Sequence, residues 1–242
     1  MLTHDSISLR DAGVVTITQP GKGHRFTLDS ILLADFCRLR PRDRVLEPGA
    51  GTGIISLLLA KKFSKISITA VEKLHLYSEL CRKNIEENDA SERIVLLEQD
   101  IRTIGKALGP VAFDAVVMNP PFRGSGTGRT SPVPERCAAR QDEAGGLADW
   151  LALQTFLKNR GRFFIVFSAE RSAELIAGLR SRRLEPKRLR FVHPYADKPA
   201  ALVLVEAVKS AGTGTEVLPP LVVHETGGAY TEEVRGVFSQ AP

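Results

Sequence analysis

Val45-Leu46-Glu47-Pro48-Gly49-Ala50-Gly51-Thr52-Gly53 decides the fold of this chain, because three alternate glycines join one apolar run to another. Val45-Leu46-Glu47 reads as a short buried strand, and Ile54 to Phe63 as an apolar helix. Glycines in such a turn tolerate positive φ and let a ligand approach the backbone. The exposed N–H groups of the helix start attract an anion or a carboxylate. The spacing is G-x-G-x-G with an acid two residues before it, and Ile54 stands where the dinucleotide fingerprint needs its third glycine. The absence of a plausible hydride-transfer pair also disfavours a nicotinamide-dependent dehydrogenase. Taken alone, the glycines fit a structural tight turn equally well.

Working outward, residues 6–18 alternate apolar and polar around Asp11-Ala12-Gly13, which reads as a hairpin. Gly21-Lys22-Gly23 follows as a flexible loop, and Asp29 is a fair N-cap for a helix running to about Arg38. Beyond the glycine turn, strands are expected at Ile66 to Val71, Ile94 to Leu97, Phe113 to Met118, Phe163 to Phe167, Leu189 to Val192 and Ala201 to Val208. Helices are expected at Leu74 to Asn88, Leu147 to Lys158 and Glu170 to Arg180. This alternation predicts an α/β fold, a doubly wound and mostly parallel sheet in one domain. The last two strands have no helix between them and should pair antiparallel. Arg123 to Gly146, rich in Gly, Ser, Thr and Pro, reads as a lid, a binding loop or disorder, and Val217 to His224 as an added edge strand.

In an open parallel sheet, ligands lie beyond the carboxyl ends of the strands. Glu72 ends the second strand of this series, Asp100 the third and Asn119 the fourth. Asn119-Pro120-Pro121-Phe122 stops its strand abruptly, since neither proline has an N–H and both have fixed φ. An amide, a carbonyl on a rigid turn and an aromatic face together suit the gripping of a planar amino group.

Composition narrows the class. The 242 residues carry ordinary hydrophobic (43%) and charged (25%) fractions for a soluble globular protein. Cys37, Cys81 and Cys137 stand far apart and the five histidines lack ligand spacing, so neither a disulfide framework nor a metal site is expected. With no secretory segment or membrane span in view, a reduced cytoplasmic protein is the expectation. Net charge is +5, and between Lys158 and Arg190 ten basic residues face three acidic ones. That asymmetry suits a polyanion partner, and equally a solvated basic face.

Val45 to Gly53, Glu72, Asp100 and the Asn-Pro-Pro-Phe stretch together resemble a class I S-adenosylmethionine-dependent methyltransferase. His24 to Ser30 and Ala138 to Glu143 are also similar to segments of the bacterial tRNA1(Val) adenine-N6-methyltransferase group. The resemblance implies a seven-stranded Rossmann-like methyltransferase sheet with an antiparallel last strand and an N-terminal hairpin. It implies a hairpin and cofactor-cover segment at 1–28, the methyltransferase domain at 29–210 and a packed extension at 211–242. Cofactor contacts would come from Arg25, Phe26, Asp29, Glu47, Gly49, Gly51, Gly53, Glu72, Asp100, Ile101 and Asn119. Asn119, Pro120 and Phe122 would form the catalytic group. Arg123, Arg140, Arg182, Arg183, Lys187 and Arg188 are candidates to hold an RNA substrate, with tRNA favoured. Glu143, in place of an acid directly after Arg140, and the long Gly-rich loop depart from that group on the substrate side. Glutamine-N5 methylation of a release factor and guanine-N2 methylation of ribosomal RNA stay open. So does an RNA-binding protein with a vestigial cofactor pocket.

Overall fold

The structure is a computed structural model that describes residues 2–9, 13–21, 27–108, 113–121 and 146–238. The loop at 22–23 and the segment 122–145 lie outside the described residues. The chain opens with β1 (Leu2–Leu9) and β2 (Gly13–Pro20), an antiparallel hairpin. Then come α1 (Leu28–Phe36), β3 (Arg44–Pro48), α2 (Ile54–Lys62), β4 (Ser67–Glu72), α3 (His75–Glu87), β5 (Ile94–Glu98), α4 (Gly105–Leu108) and β6 (Phe113–Met118). The second half holds α5 (Leu147–Ala152), β7 (Leu157–Ser168), α6 (Ser172–Ser181), β8 (Leu184–His193) and β9 (Leu202–Lys209). Two-residue strands β10 (Glu216–Val217) and β11 (Leu221–Val222) and the short α7 (Glu232–Arg235) complete it.

The main sheet runs β10-β8-β9-β7-β6-β3-β4-β5, with β11 also on β8. β5, β4, β3, β6 and β7 are parallel, and β9 lies antiparallel to both β7 and β8. This is the doubly wound, seven-stranded arrangement expected, with the two short strands added at its edge. Consecutive residues face opposite cores. Val45, Ala115, Val117, Phe164 and Val166 pack against α1, α2 and the hairpin, whereas Leu46, Val116, Met118, Phe163 and Ile165 pack against α5 and α6. Covering both faces explains why these strands are uninterrupted apolar runs.

Three expected boundaries shift. Thr27 caps α1 and Asp29 sits in its first turn, where a carboxylate still favours the helix dipole. The helix expected at 147–158 is α5 plus a 3-10 turn at Leu153–Phe156, because Leu157 already pairs with Phe113 of β6. Glu170 and Arg171 belong to a 3-10 turn before α6.

The hairpin is held by side-chain amides of α3. Asn84 Oδ1 accepts from the Thr18 N–H at 2.7 Å, and its Nδ2 donates to Thr18 O at 2.9 Å. Asn88 repeats the pattern on Thr16, at 3.0 Å and 2.6 Å. The geometry matches because two residues of strand advance about 6.7 Å and four of helix about 6 Å. Among the described residues, no helix is long and apolar enough to cross a membrane.

Candidate active site

Three glycines with positive φ form the turn between β3 and α2, and they have different neighbours. A Cβ on Gly49 (φ +69) would lie 2.6 Å from Trp150 Cη2, and one on Gly53 (φ +88) 2.8 Å from Cys81 Sγ. A Cβ on Gly51 (φ +56) would meet nothing within 4 Å among the described residues. Gly49 and Gly53 are thus small because the protein packs on them. Gly51 faces open space.

The turn is braced against β4. The Ala50 N–H donates to Val71 O at 2.9 Å, and the Gly51 N–H to Glu72 Oε2 at 2.9 Å. The Leu74 N–H donates to Glu72 Oε1 at 2.8 Å, so both carboxylate oxygens of this buried residue are fixed. A carboxylate offers about four lone-pair sites, so two remain for a ligand. Asn84 Nδ2 donates to Thr52 O at 2.9 Å, linking the turn to the residue that seats the hairpin.

Glu47 lies beneath the turn, 1% exposed, and accepts a hydrogen bond from Ser56 Oγ of α2. Burial pushes its carboxyl up to about 8, with the nearby Glu72 charge adding to the effect. Asp100 is not the last residue of β5 but lies two positions beyond it, in the following loop. The Arg102 guanidinium donates to it at 2.5 Å and Lys73 Nζ lies 3.2 Å away. The Arg102 hydrogen bonds hold this carboxyl well below the usual carboxylate range. Ile101 beside it is half-buried against the second core.

β6 is paired with β3, so Asn119 emerges one strand from the glycine turn. Its Nδ2 donates to Ser30 Oγ of α1 at 3.1 Å, and Ser30 is 5% exposed. Pro120 is buried and Pro121 exposed. Arg25, Phe26, Phe122, Arg123 and Arg140 lie outside the described residues.

The structure therefore brings together Glu47, Gly49, Gly51, Gly53, Glu72, Asp100 and Asn119 at the carboxyl ends of adjacent strands. Of the basic residues expected to hold substrate, the four that are described, Arg182, Arg183, Lys187 and Arg188, do not join them. Met118 is level with Leu189, through the pairs Met118–Ile165, Ile165–Val205 and Val205–Leu189. Arg188 is therefore level with Val117, near the carboxyl end of β6, but three strands or about 14 Å to the side. It is 9% exposed, bonded to Glu206 at 2.6 Å and stacked 4.4 Å from the Phe36 ring centroid. Lys187 Nζ donates to Gly212 O at 3.3 Å and Thr213 O at 3.4 Å. Arg182 is turned onto α5, donating to Ala148 O at 3.2 Å. Arg182 and Arg183 precede β8, at the amino end of the parallel strands. Charge counting along the sequence could not separate the two ends of the sheet.

Sequence reasoning also passed over Ser30, Trp150 and Asn84 as site residues. Ser30 lay inside a stretch already set apart, but only tertiary contact shows which of its hydroxyl-bearing residues meets Asn119. Nothing local marks Trp150 or Asn84.

Comparison with known proteins shows the family. Residues 11–140 match the family described as "Methyltransferase small domain". A Porphyromonas gingivalis protein named tRNA1(Val) (adenine(37)-N6)-methyltransferase is 28% identical over 227 residues, covering 90% of this chain and 88% of the relative. A Shewanella amazonensis protein of the same name is 29% identical over 213 residues, with 88% and 89% covered. A crystal structure described as a predicted O-methyltransferase of Agrobacterium tumefaciens superposes with a TM-score of 0.69 at 25% identity, over 86% of this chain and 94% of that one. The chain belongs to the methyltransferase small domain family and is an S-adenosylmethionine-dependent methyltransferase.

Proposed function

We propose that the chain methylates the N6 amine of an adenine in tRNA. The observation that carries this reading is Asn119, an amide fixed by Ser30 at the carboxyl end of β6, one strand from the glycine turn. The relatives from Porphyromonas gingivalis and Shewanella amazonensis, both named for adenine(37)-N6 methylation of a tRNA, support the choice of adenine.

The residues present fit S-adenosylmethionine. The open space over Gly51 admits a ligand against the backbone. Glu72 has lone pairs left for the two ribose hydroxyls, and Asp100 with Ile101 flanks the position of a purine. Gly49, Gly51 and Gly53, with Glu47 beneath, would hold the methionine end, and Arg25, Phe26 and Asp29 would close over it. When bound, this group supplies an electrophilic methyl on a sulfonium centre.

Asn119 Oδ1 and the Pro120 carbonyl would each accept one N–H of the adenine amine. That grip holds the nitrogen while its lone pair leaves conjugation with the ring. The positive charge that develops there is stabilised by two oxygen dipoles already in place. Phe122, by its place in the motif, would stack on the base. The methylated nitrogen is cationic and sheds its proton to water after transfer, so no side chain need act as a strong base and catalysis is positioning plus electrostatics. The base must leave its stack to enter, and Arg123 and Arg140, in the stretch that follows the motif, are the basic residues proposed to hold the backbone around it. Exposed Arg183, together with Arg182 and Lys187, would meet RNA only away from the target base.

Asn119→Ala is expected to keep cofactor binding and to slow transfer by roughly 100-fold or more. Labelled methyl transfer onto total tRNA, ribosomal RNA and release factor in parallel, followed by nucleoside analysis, tests the reading. Label on N6-methyladenosine in tRNA is expected. Label on glutamine or guanine instead would refute it, as would an Asn119→Ala variant as active as the parent.

A further inference from the structure

We infer that Ser30 is a positioning residue that sets which end of the Asn119 amide faces the substrate, and so makes the site select a hydrogen-bond donor over an acceptor. The inference rests on the proposed reading of Asn119 as the group that holds the target amine. An amide side chain has a donor end and an acceptor end of nearly the same shape. A site that must grip an NH₂ works only with the oxygen turned towards it. Turned the other way, the Asn119 NH₂ would oppose the substrate's N–H groups, and both sets of donors would be left unpaired.

Ser30 removes that ambiguity. Its Oγ accepts from Asn119 Nδ2 at 3.1 Å, which commits the nitrogen end to α1. The serine stands in the first turn of α1, 5% exposed, where water does not compete for the amide. A hydroxyl can donate as well as accept. A serine in a helix turn, however, can give its proton to a nearby backbone carbonyl, leaving its lone pairs for the amide. α1 is rigidly held: Leu32, Leu33 and Ala34 are buried in the core it shares with α2. The amide is thereby aimed from a helix on one face of the sheet while its backbone belongs to the sheet itself.

The consequence is specificity at one atom. Adenine presents an N–H donor at its six position, where hypoxanthine presents a carbonyl acceptor, its N1 changing in turn from acceptor to N–H. With the Asn119 oxygen facing inward, the carbonyl meets another acceptor and is rejected. Without Ser30 the amide can turn, and the carbonyl finds the NH₂.

The test uses the full chain and tRNA transcripts bearing adenosine or inosine at the nucleotide the parent methylates. Ser30→Ala is expected to lower kcat roughly fivefold to tenfold, the value of about one neutral hydrogen bond, with KM for S-adenosylmethionine unchanged. The preference for binding the adenosine transcript over the inosine transcript, expected to be about fivefold in the parent, should fall towards one. Ser30→Thr, which keeps the hydroxyl, should restore both. A merely structural role for Ser30 would lower kcat or thermal stability without moving that ratio. A Ser30→Ala variant with the parent's kcat and ratio, beside an inactive Asn119→Ala, would overturn the inference and leave the proposed reaction standing. If Asn119→Ala is also as active as the parent, the reading of the site itself falls.

Discussion

Replacing each turn glycine by alanine, one at a time, separates the glycine kept small for the ligand from those kept small by the protein. All three have positive φ, so each alanine pays left-handed strain of about 1–2 kcal/mol, partly offset by a stiffer unfolded chain. For Gly51→Ala that is the whole folding cost, since the new methyl meets nothing within 4 Å among the described residues. Net destabilisation should be about 1 kcal/mol. At Gly53 the methyl would lie 2.8 Å from the Sγ of buried Cys81, and at Gly49 2.6 Å from the Trp150 ring. Both neighbours sit in packed cores, so overpacking adds about 1–3 kcal/mol, for a total of roughly 2–4 kcal/mol. Affinity for S-adenosylhomocysteine should be hit in a different order. Gly51→Ala fills the cradle itself and should weaken binding roughly tenfold or more, which is about 1.4 kcal/mol. Urea denaturation of the ligand-free proteins gives the first order and calorimetric titration the second. Trp150 is the only tryptophan of the chain, so its emission should shift in Gly49→Ala and not in Gly51→Ala. If Gly51→Ala binds normally, or if Gly53→Ala is as stable as Gly51→Ala, the reasoning from the turn is wrong.

Other substitutions test the supports of the site. Asn84→Ala removes three buried hydrogen bonds, to Thr18 N–H, Thr18 O and Thr52 O, and should cost about 3–4 kcal/mol in urea denaturation. A loss below about 1 kcal/mol would show that the hairpin does not depend on it. Glu47 gives a pH signature. Its carboxyl is held up at about 8 against an ordinary 4.5, so the folded chain keeps a proton that the unfolded chain releases between those values. The stability it contributes is full below the lower value and is lost as pH rises through the upper one. Glu47→Gln should therefore gain stability relative to the parent between about pH 5 and about pH 8.5, by at most about 5 kcal/mol. A difference that stays flat across that range would mean the carboxyl titrates normally. If RNA is the substrate, tRNA affinity should fall steeply with salt, and binding indifferent to salt would argue for another partner.

Much of the sheet was legible because strands buried on both faces have no choice but to be apolar throughout. Phe113 to Met118 and Phe163 to Phe167 could be read as strands from that fact alone. The glycine turn and the polar residues beyond Glu72, Glu98 and Met118 could be placed because strand direction follows from the βαβ alternation. Two kinds of information were not local. The start of β7 at Leu157 is set by pairing with Phe113, which overrides a segment that reads as continuing helix. The basic stretch from Lys158 to Arg190 is continuous in sequence, yet it passes along β7, back through α6 and into β8, so its charges are dispersed over the sheet. Several are spent within the fold, as with Arg188 on Glu206 and Arg162 on Asp43. Ser30 and Asn119 stand 89 positions apart and meet only because α1 packs over the end of β6.

The two asparagines of α3 grip main-chain atoms of Thr16 and Thr18, and that choice makes these four bonds indifferent to the side chains that the hairpin carries there. Any residue with an N–H and a carbonyl satisfies Asn84 and Asn88, so exposed Thr16 can be exchanged without loosening the joint, whereas buried Thr18 adds a hydroxyl contact to Glu87 of α3 at 3.4 Å. The helix side has no such latitude: aspartate lacks the donor and glutamine overreaches by a methylene. A hairpin of different sequence could be mounted in place of the N-terminal one if it kept the register, the apolar residues at 7, 15 and 17 that enter the core, and Thr18.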